Sequence, residues 1–219
     1  MSISSPIIPA ITPQSYNDLL SQLQKITGLP EVHVDVADGV FTKNTLWPYR
    51  DTSDVTVAYN QLAPFSLEVD LMVEKPLSAA IQWLKAGADQ LVFHIETISV
   101  AALAEFMEDC PVTVGVAIGS STPLETLYPY VALIDYVQFM SIATIGSQGQ
   151  PFDDSVLERI ATFTKRYPAT PVSIDGSVNQ TSLPKIKSLG VSRYIVGSAI
   201  MGADNPKEAY QALTSLVGR

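Results

Sequence analysis

Cysteine, positive charge and long apolar runs are all scarce in this 219-residue chain. The one cysteine, Cys110, excludes an internal disulfide and fits a reducing compartment. Thirteen Lys and Arg against 22 Asp and Glu leave a net charge of −9, which argues against nucleic acid or an anionic membrane as partner. No run approaches the roughly 20 apolar residues that span a bilayer. The opening MSISSPIIPA lacks the basic region of a signal peptide. A cytoplasmic protein is therefore expected. Charged residues make up only 16% of the chain and hydrophobic ones 47%, a balance that favours a compact fold over disorder. The length suffices for a sizeable core, and no linker or low-complexity tract divides it, so a single domain over 1–219 is expected.

Short β-branched runs alternate with longer amphipathic ones. The strand-like runs cover 6–12, 31–38, 65–73, 90–97, 111–119, 136–143, 171–178 and 193–200. Helical spacing is found over 15–28, 76–87, 100–109, 123–134, 154–168 and 205–218, with a weakly written segment in 52–63. Ser15, Pro76, Pro123 and Pro206 stand near first turns, and Gly28, Gly87 and Gly190 follow last turns. Eight strand–helix units in this length predict an α/β fold, a closed parallel (β/α)8 barrel of the TIM type, over an open doubly wound sheet.

The stretch EVHVDVADGVF (31–41) places acids and a histidine in the most strand-like run. Side chains alternate across a strand, so His33 and Asp35 share one face. Glu68, Asp70 and Met72 share a face on the third strand, and Ser173 and Asp175 on the seventh. If these faces look inward, His33, Asp35, Asp70 and Asp175 converge at one rim, and His94 on the fourth strand can join them. Such a cluster has three uses: binding a divalent cation, supplying a general acid and base on opposite faces of a substrate, or forming an ordinary polar layer. Asp38, followed by Gly39, reads as a turn or cap residue.

The seventh strand ends in Asp175-Gly176-Ser177 and the eighth in Gly197-Ser198-Ala199. Loops after these two strands are a frequent phosphate site in such barrels, and small residues let the backbone approach the anion. This would let an acidic protein hold a phosphorylated ligand without a basic cluster. The polar stretch IGSQGQ (145–150), which contains Gly146 and Gly149, has the composition of a lid.

These motifs together resemble the ribulose-phosphate 3-epimerase family over nearly the full length. The resemblance rests on HVDVADG with Phe41 and Asn44, EVDLMVEKP, KAGADQLVFHIE, MSI…GQPF, SIDGSV and IVGSAIMG, one per strand and in order. It implies a ribulose-phosphate-binding barrel whose metal is held by two histidines and two aspartates, the aspartates doubling as the acid–base pair at C3. By position, His33 and Asp35 match a metal-binding histidine and the first ligand and acid–base aspartate, and Asp175 matches the second. Gly176, Gly197 and Ser198 match phosphate contacts, GSQGQ falls at the family's glycine-rich loop, and Met72 and Met140 match two methionines lining the site. The implied reaction is D-ribulose 5-phosphate to D-xylulose 5-phosphate, on a small phosphorylated sugar, in a homo-oligomer.

The chain also departs from the family pattern. Asp70 stands where the second metal histidine is expected, Ala10 where a serine is, Ala37 where a methionine is, and Ser177 where a glycine is. One histidine with three carboxylates leaves a dication site with one net negative charge, which leans toward Mg or Mn over Zn, with Fe also a candidate. The departures keep two further readings open: a sugar-phosphate lyase of decarboxylase or aldolase type, and a non-catalytic phosphometabolite-binding protein. The lyases rely on a lysine on the third strand, which EVDLM lacks, and a binding protein has no need of two opposed acids.

Overall fold

The computed structural model describes residues 5–51, 54–146 and 149–218. Eight parallel strands close into a barrel in sequential order. They are β1 (Ile7–Ile11), β2 (Glu31–Ala37), β3 (Ser66–Met72), β4 (Gln90–His94), β5 (Thr113–Ile118), β6 (Tyr136–Met140), β7 (Val172–Asp175) and β8 (Arg193–Val196). The helices are α1 (Tyr16–Lys25), α2 (Tyr59–Leu62), α3 (Pro76–Lys85), α4 (Val100–Glu108), α5 (Ser155–Arg166), α6 (Leu183–Ile186), α7 (Ser198–Met201) and α8 (Pro206–Val217). Among the described residues, no helix is long and apolar enough to cross a membrane.

Strand parity separates two interiors. Val32, Val34 and Val36 of β2, Val69 and Leu71 of β3, and Phe139 of β6 face the helices in a continuous apolar core. Helices meet it with one stripe each: Leu19 and Leu23 in α1, and Val156, Ile160 and Phe163 in α5, spaced three or four apart so that they share a face. The residues between them point into the barrel, where the register sets His33 beside Glu68, Asp35 beside Asp70 and Ala37 beside Met72. Met140 lies beside Asp175 in the same way.

All eight expected strands form, each shorter than its sequence run. Strand β7 stops at Asp175 because Gly176 and Ser177 both take positive φ, +109° and +52°. At Gly176 a side chain would meet Ile142 Cγ2 at 2.9 Å, so glycine is required there for space as well as for conformation. Strand β8 stops at Val196 because Ser198 already begins α7. Ser15 caps α1 through the N–H of Asp18. Two expectations are corrected. The segment 123–134 is a 3₁₀ helix over Leu124–Tyr130, with Pro129 inside it removing a backbone donor. The weak segment 52–63 is a 3₁₀ turn, Val55–Ala58, running into the single-turn α2, while 52–53 lie outside the described residues.

Candidate active site

A cavity opens at the C-terminal ends of the strands. Asp35 and Asp175 line it from β2 and β7, and Met72 and Met140 from the ends of β3 and β6. Gly176 and Ser177 after β7, Gly197 and Ser198 after β8, and Gly146 and Gly149 after β6 complete the predicted wall. Sequence reasoning gave no role to Leu46 and Ile195, which also line it. Ser147 and Gln148 of the expected lid lie outside the described residues. The remainder of that loop is tied down: Asn44 Nδ2 donates to the Gly146 carbonyl at 2.6 Å, and the Ser177 hydroxyl donates to the Gln150 carbonyl.

His33, Asp70 and His94 are fully buried beneath this wall. One ligand atom from each of His33, Asp35, Asp70 and Asp175 lies within 4.8 Å of the others, a group that can hold a metal ion. His33 Nδ1 is 2.6 Å from Glu68 Oε1, and its Nε2 is 3.2 Å from Asp35 Oδ1 and 3.7 Å from Asp70 Oδ2. The ring thus turns one nitrogen to an anchoring carboxylate and the other to the cluster, the arrangement of a metal-binding histidine with its outer partner. His94 is not on the cavity wall. Its Nε2 is 2.9 Å from Asp70 Oδ1, so it stands behind Asp70, which also accepts from Gln138 Nε2 at 2.9 Å. Asp38 behaves as a turn residue: its carboxylate accepts from the N–H groups of Val40 and Phe41 and, across the strand ends, of Glu74.

The electrostatics divide the carboxylates into two kinds. Burial raises the Asp175 carboxyl to about 8, with Asp35 beside it adding repulsion. Burial also raises Asp35, against the opposing pull of His33. Asp70 is buried too, but His94 and His33 outweigh the desolvation and hold it well below the usual carboxylate range. Glu68 is lowered to about 2 because His33, Arg193 and Tyr136 together overcome its burial. His33, which burial alone would discharge, is held well above its ordinary value by hydrogen bonds to Asp35, Asp70 and Glu68. A divalent cation fits this donor set, since it would relieve the repulsion between Asp35, Asp70 and Asp175 while His33 Nε2 completes the group.

Sequence reasoning noted that Glu68 shares a face with Asp70 but gave it no role, and it missed Arg193, Tyr136 and Gln138. Gln138 lies two residues before Met140 and therefore on the same face, which was the available signal.

An acid–histidine centre under a cavity at the C-terminal mouth of a (β/α)8 barrel defines an enzyme of the TIM-barrel class. The chain belongs to the ribulose-phosphate 3-epimerase family, a family of isomerases, whose model matches residues 5–201. A ribulose-phosphate 3-epimerase from Mycobacterium bovis is 29% identical over 99% of this chain and 95% of its own length. The cytoplasmic isoform from Oryza sativa subsp. japonica is 26% identical over 98% and 95%. Among solved structures, a 3-hexulose-6-phosphate synthase from Salmonella typhimurium aligns with a TM-score of 0.71 at 14% identity, covering 96% of this chain and 97% of that one. At that identity the likeness describes the barrel.

Proposed function

We propose that the protein epimerises a ketose phosphate at C3, with D-ribulose 5-phosphate and D-xylulose 5-phosphate as the substrate pair. The observation that carries this reading is the pair Asp35 and Asp175, two carboxyl groups from β2 and β7 on one cavity wall, both with raised proton affinity. Epimerisation needs one group to remove a proton from carbon and another to deliver one to the opposite face, each able to exist in either protonation state near neutral pH. A carboxylate on one of the two aspartates takes the C3 proton. The other, as the acid, returns a proton to the opposite face, and the stereocentre inverts with no net change in atoms. Met72 and Met140 beside the pair give an apolar wall that keeps water from the carbanionic intermediate. The small residues Gly176, Ser177, Gly197 and Ser198 let the main chain close on the substrate phosphate, which fixes C3 relative to the acids.

His33, Asp35, Asp70 and Asp175 would hold a divalent cation, Mn or Mg in preference to Zn. A bound cation would supply electrostatic stabilisation of the negative charge that develops on the substrate oxygens.

Incubation of the protein with D-ribulose 5-phosphate in heavy water is expected to place deuterium at C3. The Asp35→Asn and Asp175→Asn variants are each expected to lose at least about 10²-fold in rate. Absence of exchange with any pentulose or hexulose phosphate, with and without Mn or Mg, would overturn the reading. Cleavage of a carbon–carbon bond without C3 exchange would instead support the lyase reading that Asp70 keeps open.

A further inference from the structure

The barrel interior contains a second polar assembly at the end opposite the cavity. Arg193 is the first residue of β8, and its side chain is only 18% exposed. Its Nη2 donates to Glu31 Oε1 at 2.6 Å, and its Nη1 donates to Glu68 Oε2 at 2.7 Å and to Gln90 Oε1 at 2.9 Å. The guanidinium lies 4.9 Å from the centre of the Tyr136 ring, and the Tyr136 hydroxyl donates to the same Glu68 oxygen. Gln90 Nε2 closes the circuit on Glu31 at 3.0 Å. Four strands besides β8 contribute, so the assembly ties the closed end of the barrel together.

The two oxygens of Glu68 have separate partners. Oε2 takes both donors from below, and Oε1 is left to His33 Nδ1 at 2.6 Å. A glutamate carboxylate can rotate about its terminal torsion, which has a broad profile. Two donors on one oxygen stop that rotation and aim the other. A network built only for stability has no need to end on a ring nitrogen of a residue in the metal-binding group. An arginine suits the task because its planar fork fixes direction where an ammonium would fix only charge.

We infer that Arg193 is a positioning residue for the metal centre: through Glu68 it fixes the His33 ring with Nε2 facing Asp35 and Asp70, and so sets cation affinity from the far end of the barrel. The inference rests on the cation site proposed above. Outer partners of metal-binding histidines are worth about 10- to 100-fold in metal affinity, and Arg193 lies one step beyond such a partner.

The test uses the full chain. Mn²⁺ affinity is measured by the electron paramagnetic resonance of free Mn²⁺ for wild type, Glu68→Gln, Arg193→Met and Arg193→Lys. The chain has two histidines, so histidine labelled with ¹⁵N also reports the ring nitrogens of His33 and His94 separately in the diamagnetic Mg²⁺-loaded protein. Glu68→Gln and Arg193→Met are each expected to bind Mn²⁺ about tenfold more weakly or worse. Arg193→Lys should restore part of the loss, and the His33 nitrogens should shift while those of His94 stay in place. A folded Arg193→Met protein with wild-type Mn²⁺ affinity and unmoved His33 signals overturns the inference, even if its melting temperature falls. If Arg193→Met does not fold, Arg193→Lys decides: weakened binding with moved His33 signals supports the inference, and wild-type values overturn it. Wild-type protein that takes up no Mn²⁺ overturns the cation site as well, whereas wild-type binding with unaffected variants overturns this inference alone.

Discussion

Asp70 occupies the position where the family resemblance implies a second metal-binding histidine, and its surroundings account for a carboxylate surviving there. His94 and Gln138 each engage one of its oxygens at 2.9 Å, so a fully buried charge has partners on both sides. The Asp70→His variant would restore a second imidazole, and its metal preference should move toward Zn. Competitive loading with equal Zn and Mn followed by elemental analysis measures the change. A second expectation comes from Asp175, whose carboxyl is raised to about 8 by burial and by the neighbouring Asp35. A cation must displace that proton, so Mn²⁺ affinity should climb from pH about 6 toward about 8 and level off above. The sign follows from competition: the raised group holds its proton below its own pKa, and protons and cations occupy the same oxygens. Calorimetric titrations in buffers of different ionisation heat would count the protons released. A flat affinity over this range would show that no proton on Asp175 competes with the cation.

Strand β5 is thin because its neighbour is thick. Gly115 sits opposite Tyr136 in the register, and a side chain there would come within 2.5 Å of the tyrosine ring. Gly115→Ala should therefore push Tyr136 off Glu68 and cost about 1–3 kcal/mol, as overpacking of a filled interior does. Urea unfolding of the two proteins checks the value. The same strands show what the sequence made legible. The period-2 runs marked all eight strands, and parity together with an inward-facing barrel layer led to the expectation that His33, Asp35, Asp70 and Asp175 converge, as they do. Parity also put Glu68 on the inner face but could not say what it meets. Its partners Tyr136 and Arg193 lie 68 and 125 residues away, and only barrel closure and strand register bring them together. His94, expected to join the cluster, does so through Asp70, with its Nε2 2.9 Å from Asp70 Oδ1. Its ring is fully buried and does not reach the cavity wall, which strand parity could not tell. The segment 123–134 misled through composition: its apolar spacing is helical, but Pro129 inside it holds the chain to a 3₁₀ turn.

The acid–histidine group lies inside the barrel and the main apolar core outside it, so a cation bound at the proposed site would be linked to folding stability. Any ion that binds the folded chain and not the unfolded one stabilises it, by about 2.7 kcal/mol at a hundredfold excess over the dissociation constant. Mn²⁺ should therefore raise the melting temperature, EDTA should reverse the rise, and the Asp175→Asn variant should show a smaller rise. Differential scanning calorimetry is the check, and equal shifts in wild type and variant would place the bound ion elsewhere. The alternation of side chains along each strand carries a consequence for inheritance. Neighbouring codons in β2, β3, β7 and β8 write to opposite faces of one sheet. In a saturation library, substitutions at Val32, Val34, Val36, Val69 and Leu71 should deplete the amount of protein. Substitutions at Asp35 and Asp175, the two acids on the cavity wall, should deplete turnover more than amount, whereas the fully buried and paired His33 and Asp70 should deplete both. Two kinds of loss would then alternate, position by position, along a single strand.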